Sequence, residues 1–324
     1  MSVAPVLFLG SKRQGLDTLR ALVATGLPVA AVTLDDREDG RTCLAEFTAV
    51  ADAAGIPLTV VRTRTEAARA IAAGRWSLGV VVGWYWLLGA AERGAPAHGM
   101  IGVHNSLLPR YRGGAPLPWA MIDGATEVGA SLMTLGEGVD DGALWGQVRV
   151  AVGPDDGIGD VLARLEPAAV ALVAETVPAI LAGTRTAVAQ DAAHATWCAQ
   201  RIPDDGVIDW RWPAARIHDF VRAQSAPYPG AFTYVDGARL VVWRTRPLAT
   251  RWRATPGQGI AREGDALLVA CGDDTVLALL EVGDGTGRWP AATRLPTRNV
   301  RFPAVPLLLD RLPAGTADAL VAAA

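Results

Sequence analysis

Residues 78–88 read Leu78-Gly79-Val80-Val81-Val82-Gly83-Trp84-Tyr85-Trp86-Leu87-Leu88. A short, valine-rich run without polar alternation is the pattern of a strand buried on both faces, and Gly83 ends it. The same kind of run occurs upstream. Val6-Leu7-Phe8-Leu9 is closed by Gly10, and Val29 to Leu34 and Leu58 to Val61 are two more. Between these runs apolar residues recur at helical spacing, from Leu16 to Ala24 with Gly26 as a stop, from Leu44 to Ala54, and from Ala67 to Ala73. Strands alternating with helices predict right-handed crossovers and a mostly parallel, twisted sheet covered on both faces. The expected fold class is α/β, with Rossmann-like layering.

Such sheets bind ligands beyond the carboxyl ends of their strands. Two segments fall at that edge. One is the aromatic stretch from Trp84 to Leu88. The other is Val103-His104-Asn105-Ser106-Leu107-Leu108-Pro109, which follows a short apolar run from Met100 and leads into a loop rich in proline and glycine. Ser131 to Leu135 is strand-like, and Ile158 to Leu181 predicts a long amphipathic helix that closes the domain. Near residue 190 the pattern changes. Ala231 to Val235, Leu240 to Trp243, Ala266 to Cys271 and Val276 to Val282 are short and bounded by glycine, aspartate or proline. That spacing predicts a small, OB-like β-barrel. The expected organisation is an α/β domain over 1–195, a linker over 196–206, a barrel over 207–312 and an alanine-rich tail over 313–324.

At 324 residues the chain is long enough to bury two cores. Its formal net charge is −3, and Lys12 is the only lysine beside many arginines. It lacks the basic excess of a sequence-independent nucleic-acid binder. Cys43, Cys198 and Cys271 lie far apart and are odd in number, which fits neither a disulfide framework nor a metal-ligand spacing, so no metal is expected. Met1-Ser2-Val3-Ala4-Pro5 does not have the regions of a signal peptide. No apolar run reaches the roughly 20 residues of a membrane span. The expectation is a cytoplasmic protein without a membrane partner.

His104 lies at the mouth of the expected sheet. Gly136-Glu137-Gly138-Val139-Asp140-Asp141-Gly142 follows a strand-like run and concentrates carboxylates among glycines. Each alone reads as a structural histidine and a solvated turn. Together they suggest more, because a carboxylate beside an imidazole favours its charged form and fixes its tautomer. General acid–base catalysis near neutral pH needs such a pair. Gly10-Ser11-Lys12-Arg13-Gln14-Gly15 lacks the lysine-then-hydroxyl ending of a phosphate loop and reads as a solvated turn.

The run from His104 to Pro109, followed by Arg112-Gly113, resembles the signature of the formyltransferase family that uses 10-formyltetrahydrofolate. That family includes methionyl-tRNA formyltransferase and the sugar N-formyltransferases. Gly138-Val139-Asp140-Asp141-Gly142 resembles its second signature, with Asp140 in the place of the catalytic aspartate. Pro203-Asp204-Asp205-Gly206-Val207-Ile208-Asp209-Trp210 looks like the entry into the family's C-terminal domain. Pro227 to Thr233 is similar to a stretch of the aminoarabinose-lipid formyltransferases, and Pro256-Gly257 with the strands from Leu267 to Leu280 is similar to the terminal barrel. The likeness covers about residues 3 to 310.

The resemblance implies a 10-formyltetrahydrofolate donor whose formyl carbon is attacked by a neutral amine. An oxyanion develops, and the folate nitrogen is protonated as it leaves. In the family, the histidine and an asparagine two residues before it stabilise the oxyanion, while the aspartate orients the imidazole or relays its proton. Here His104 and Asp140 match, but the asparagine's place is held by Gly102. Losing one oxyanion donor typically costs about 100- to 1,000-fold in turnover. Asn105 is near, yet in extended chain it faces away from position 102, so it substitutes only if the backbone turns at His104. By the same likeness Trp86, Leu87 and Leu88 wall a slot for the pterin ring. Gly136, Glu137, Gly138, Val139 and Asp140 close its other side, and Ser106, Leu107, Leu108 and Pro109 lie against the donor.

Methionyl-tRNA formyltransferases carry a basic loop after the second strand. The matching segment here, Asp35-Asp36-Arg37-Glu38-Asp39-Gly40-Arg41, is net acidic, whereas phosphate contact needs clustered positive charge. The expected acceptor is therefore a small-molecule amine: an amino sugar, a hydroxylated ornithine or another specialised metabolite. Family barrels bind tRNA, build a homodimer or hold an accessory ligand, and the sequence leaves these open. The competing readings are hydrolysis of the formyl donor or another one-carbon reaction, a folate-binding protein without turnover, and methionyl-tRNA formylation.

Overall fold

A computed structural model describes residues 4–295 and 300–303, so the expected tail and the end of the expected barrel lie outside the described residues. The chain runs through β1 (Val6–Gly10), α1 (Lys12–Ala24), β2 (Val29–Leu34), α2 (Leu44–Ala54), β3 (Leu58–Val61), α3 (Arg64–Ala72), β4 (Gly79–Val82), α4 (Ala90–Arg93) and β5 (Met100–His104). After β6 (Arg112–Gly113) and α5 (Pro116–Ile122) come β7 (Glu127–Thr134), β8 (Leu144–Ala151), α6 (Ile158–Leu181), β9 (Trp197–Cys198) and α7 (Ala214–Arg222). The rest is β10 (Ala231–Val235), β11 (Ala238–Arg251), β12 (Gly259–Glu263), β13 (Ala266–Ala270), β14 (Thr275–Gly283), β15 (Arg288–Pro290) and α8 (Ala291–Arg294).

Two compact units divide this chain. Among the described residues the first comprises 4–116, 127–151 and 162–199, and the second comprises 117–126, 152–161 and those from 200 onward. In the first unit seven strands form one sheet in the order β3-β2-β1-β4-β5-β7-β8. β3, β2, β1, β4 and β5 run parallel, and β7 and β8 add antiparallel to one side. Every residue of β1 and β2 is buried. In β1 the alternation of side chains sends Val6 and Phe8 to one core, with Leu16, Leu19, Phe47 and Val173. Leu7 and Leu9 go to the opposite core, with Val61, Ile71 and Met100. Burial on both faces is why the strand sequences are apolar without a break.

Local signals set the helix limits. Thr63 caps α3 by accepting from the backbone N–H of Glu66 at 3.2 Å. Gly55 ends α2 in the left-handed region. The chain leaves β3 on one side of β1 and returns as β4 on the other, so the switch point lies where β1 and β4 end. There Gly83 has φ +67°, and a Cβ on it would meet the Ser11 carbonyl oxygen at 2.6 Å. Only glycine fits that crossing.

In the second unit β10-β11-β14-β13-β12 form an antiparallel sheet, with β15 paired to β14. Its core gathers Trp210, Ile217, Phe220, Val242, Leu267 and Leu279, with Ile122 packed against it. Among the described residues β10 and β12 do not pair with each other. No helix among the described residues is long and apolar enough to cross a membrane.

Candidate active site

His104 is the last residue of β5, opposite Ser131 of β7, and is 9 % exposed. Its Nε2 lies 2.7 Å from the Tyr111 carbonyl oxygen. A carbonyl only accepts, so Nε2 carries the proton and Nδ1 is left facing the Asp140 carboxylate, whose Oδ2 is 3.4 Å away. The loop after β5 is tied down to make this possible. The Ser106 N–H donates to the His104 carbonyl at 2.9 Å, which turns the chain directly after the histidine. The Ser106 hydroxyl donates to the Arg110 carbonyl at 2.7 Å. The buried Ser131 hydroxyl donates to the Ser106 carbonyl at 2.6 Å and accepts from the Leu108 N–H at 3.1 Å. Gln147 donates to the Leu108 carbonyl at 2.9 Å. Leu108 is buried and Leu107 packs beside Gly129.

Asp140 comes from the glycine turn between β7 and β8 and has φ +48°. Its Oδ2 accepts from the Gly113 N–H at 2.8 Å. The Gln190 carboxamide donates to the Asp140 and Gly142 carbonyls, both at 2.8 Å. It accepts in turn from the buried Arg112, at 2.7 Å from Nη2 and 3.2 Å from Nε. The structure thus brings His104 and Asp140 together, and it adds Tyr111, Arg112 and Gln190 around them.

Gly102 lies in β5 two residues before His104. A Cβ built there would meet Leu135 Cδ2 at 2.9 Å and the Val81 carbonyl oxygen at 3.4 Å, so Leu135 fills the place where a side chain would start. Asn105 faces the first turn of α1, with its carboxamide 3.4 and 3.5 Å from that of Gln14 in a weak reciprocal pair. The turn at His104 that the sequence left conditional is therefore present.

The two loops expected to face a planar ligand expose apolar side chains. Leu87 is 86 % exposed and Val139 is 59 % exposed, and Tyr85 is exposed as well. Trp86 and Leu88 instead turn half-buried against the core with Trp84 and Leu135. Gly136 and Gly138 sit close beneath the Asp141 carboxylate, and Glu137 and Gly138 are exposed. Pro109 is half-buried, its carbonyl accepting from the Thr196 N–H at 3.3 Å.

Charges on the neighbouring loop compensate one another. Lys12 Nζ lies 2.6 Å from Asp36 and 2.8 Å from Asp39, above the Tyr85 ring. Burial works against its charge, but the two carboxylates outweigh it and push the ammonium pKa up. Arg41 and then Lys12 hold the Asp39 carboxyl well below the usual carboxylate range. Arg37 and Arg62 do the same for Asp35.

Gln190, Tyr111, Gln14 and Leu135 carry no local sequence signal for a site. Gln190 is 50 residues beyond Asp140 and Gln14 is 91 residues before Asn105, so only the folded chain reveals the contacts.

An imidazole and a carboxylate at the open edge of a parallel sheet, in a chain with a second, antiparallel unit, form the build of an acid–base enzyme. Residues 18–177 match the family model of formyl transferases, and residues 201–292 match that of the formyl transferase C-terminal domain. The chain belongs to the formyl transferase family. Among solved structures it is similar to WlaRD, a sugar 3N-formyl transferase determined in the presence of dTDP and 5-N-formyl-THF. That match has a TM-score of 0.66 at 13% identity, covering 86% of this chain and 97% of that one. An N-formyltransferase from Helicobacter canadensis, in complex with folinic acid and dTDP-3-aminofucose, matches with TM-score 0.64 at 12% identity, over 86% of this chain and 99% of that one. HypX from Aquifex aeolicus, in complex with tetrahydrofolic acid, matches with TM-score 0.59 at 15% identity. The match covers 90% of this chain and 47% of that one.

Proposed function

We propose that this protein is an N-formyltransferase that moves a formyl group from 10-formyltetrahydrofolate to the amine of a small molecule. The single observation that carries the reading is Nδ1 of His104 facing Asp140 Oδ2 at 3.4 Å, at the carboxyl edge of the sheet. The exposed Leu87 and Val139 on the flanking loops support a flat, largely apolar ligand there. Folate ligands in the structural relatives point the same way.

The donor supplies an activated amide, with its formyl group on a folate nitrogen. In this reading the acceptor nitrogen bonds to the formyl carbon, and the bond from that carbon to the folate nitrogen then breaks. One proton leaves the acceptor and one reaches the folate nitrogen, giving a formamide and tetrahydrofolate. His104 and Asp140 hold and move that proton at Nδ1 and Oδ2. Tyr111 keeps the ring from turning, by accepting from Nε2. Gly102 has no side chain for the developing oxyanion, so Asn105, brought round by the turn at Ser106, takes the donor role with Gln14 behind it.

The acceptor in this reading is small. Arg37 and Arg41 of the loop after β2 are ion-paired with Asp35 and Asp39, which leaves them poorly suited to a tRNA backbone. The sugar acceptors of the relatives support an amino sugar first.

The test is tetrahydrofolate release from 10-formyltetrahydrofolate, with and without candidate amines. Amine-dependent release is expected. Equal release without amine would replace the reading with hydrolysis, and binding without release would replace it with a folate-binding protein. His104→Ala and Asp140→Ala are each expected to lower kcat by about 100- to 10,000-fold with the fold intact by circular dichroism. Full activity in either variant would remove the mechanism.

A further inference from the structure

Gln190 lies in no helix or strand, yet every hydrogen-bonding position of its side chain is used inside the site. Both carboxamide hydrogens go to carbonyls of the Asp140 turn, and the oxygen accepts twice from one guanidinium. The backbone explains how it arrives there. Val188 pairs antiparallel with Leu144, each N–H donating to the other's carbonyl at 2.7 and 2.8 Å. Extended two residues forward from Val188 and two back from Leu144, that antiparallel register sets Gln190 opposite Gly142.

The contacts close a ring. Arg112 holds Gln190 through its side chain, Gln190 holds the Asp140 backbone, and the Asp140 carboxylate accepts from the N–H of Gly113, the residue next to Arg112. The arginine and glycine thus grip the aspartate from both ends. Arg112 is 7 % exposed, and among the described residues no carboxylate lies within ion-pair distance of it. Its side-chain hydrogen-bond partner is a neutral amide whose opposite end binds the Asp140 carbonyl, and the guanidinium also lies 5.8 Å from the centre of the Trp197 ring. A buried guanidinium without a counter-ion keeps a desolvation cost that its hydrogen bonds must offset, so its hold on Gln190 is strongly favoured. Asp140 is also in the left-handed region, which is uncommon for a residue other than glycine, though aspartate tolerates it better than most.

We propose that Gln190, anchored by Arg112, is the positioning residue for Asp140: it fixes the rotation of the 140–142 backbone and thereby holds the carboxylate against Nδ1 of His104. The inference rests on the functional reading above and names what sets its geometry.

The test uses Gln190→Glu and Gln190→Ala in the full chain. Glutamate keeps the acceptor for Arg112 but removes both N–H donors and sets a negative charge against two carbonyls. Both variants are expected to lower kcat about 10- to 100-fold, the cost of a misplacement on the order of 1 Å, while the KM for the folate donor stays within about twofold. The second readout is the His104 ring resonance by NMR, tractable with four histidines in the chain. It is expected to move in Gln190→Glu in the same direction as in Asp140→Asn. The only charged side chain within ion-pair distance of His104 among the described residues is Asp140, so that shift reports this contact. A folded Gln190→Glu protein with wild-type kcat and an unmoved resonance would overturn the proposal. So would activity lost only in proportion to folded protein. If the wild-type protein transfers no formyl group at all, the functional reading fails, while the resonance comparison still decides whether Gln190 positions Asp140.

Discussion

At the scale of single residues, the pairing of His104 with Asp140 was legible because each lies in a short motif with its own chemistry. What surrounds them was not. Tyr111 contributes a carbonyl, which no side-chain pattern announces, and Gln190 acts across 50 residues through a backbone register. Gly102 was legible as a departure, but its reason was hidden in Leu135, which closes over it. That packing sets the expectation for restoring a side chain. Gly102→Asn alone forces its Cβ against Leu135 Cδ2 and is expected to leave formyl transfer unchanged or lower it. Gly102→Asn with Leu135→Ala opens the space, and kcat is expected to rise about tenfold or more over Leu135→Ala alone, part of the effect of one oxyanion donor. Steady-state kinetics of the four proteins checks this, and a gain from the single Gly102→Asn variant would contradict the packing argument.

At the scale of elements, periodicity served where apolar runs were short and bounded by turn residues, or recurred at helical spacing. β2, α2, β3, β10 and α6 have the limits their patterns predict. β8 escaped notice; it is half-exposed along most of its length, and Gly146 interrupts it. α7 was passed over in a region that reads as strands, although Ala214, Ile217, Phe220 and Val221 recur at helical spacing and are buried. α6 also carries a testable cost. Glu166 is half-buried, and desolvation, with a smaller contribution from Asp17, pushes its pKa up while Arg13 opposes. A carboxyl raised on folding contributes stability below the ordinary glutamate range and loses it as pH rises through the folded value. Glu166→Gln is therefore expected to raise the melting temperature at pH 7.5 by about 1–4 °C, the effect of up to ~1 kcal/mol in a domain of this size. The gain should vanish near pH 4. Melting curves at the two pH values decide, and an equal change at both would rule out desolvation as the cause.

At the scale of the whole molecule, the sequence read two consecutive domains, whereas the compact units interleave. The second unit draws in 117–126 and 152–161. Within it Ile122 packs on the antiparallel core, and Arg201 lies over the Trp119 ring at 4.8 Å. Arg222 donates to the carbonyls of Gly153 and Asp156, and His218 Nε2 donates to that of Pro154. Composition cannot disclose such borrowing, because the borrowed stretches sit among residues of the other unit. A fragment starting at residue 200 lacks all of them. It is expected to unfold without a cooperative transition, whereas the full chain melts cooperatively. Thermal denaturation followed by circular dichroism is the check, and a sharply melting fragment would show that the borrowed segments are dispensable.

The pairing of Lys12 with Asp36 and Asp39 has one more chemical effect. A protein that handles an activated one-carbon acyl donor endangers its own ε-amines, since any neutral one nearby competes as a nucleophile. This chain has a single lysine, at the same sheet edge as His104, and the two carboxylates keep it as an ammonium with no lone pair to offer. The pairing lowers still further the small fraction of neutral amine that such a donor could formylate.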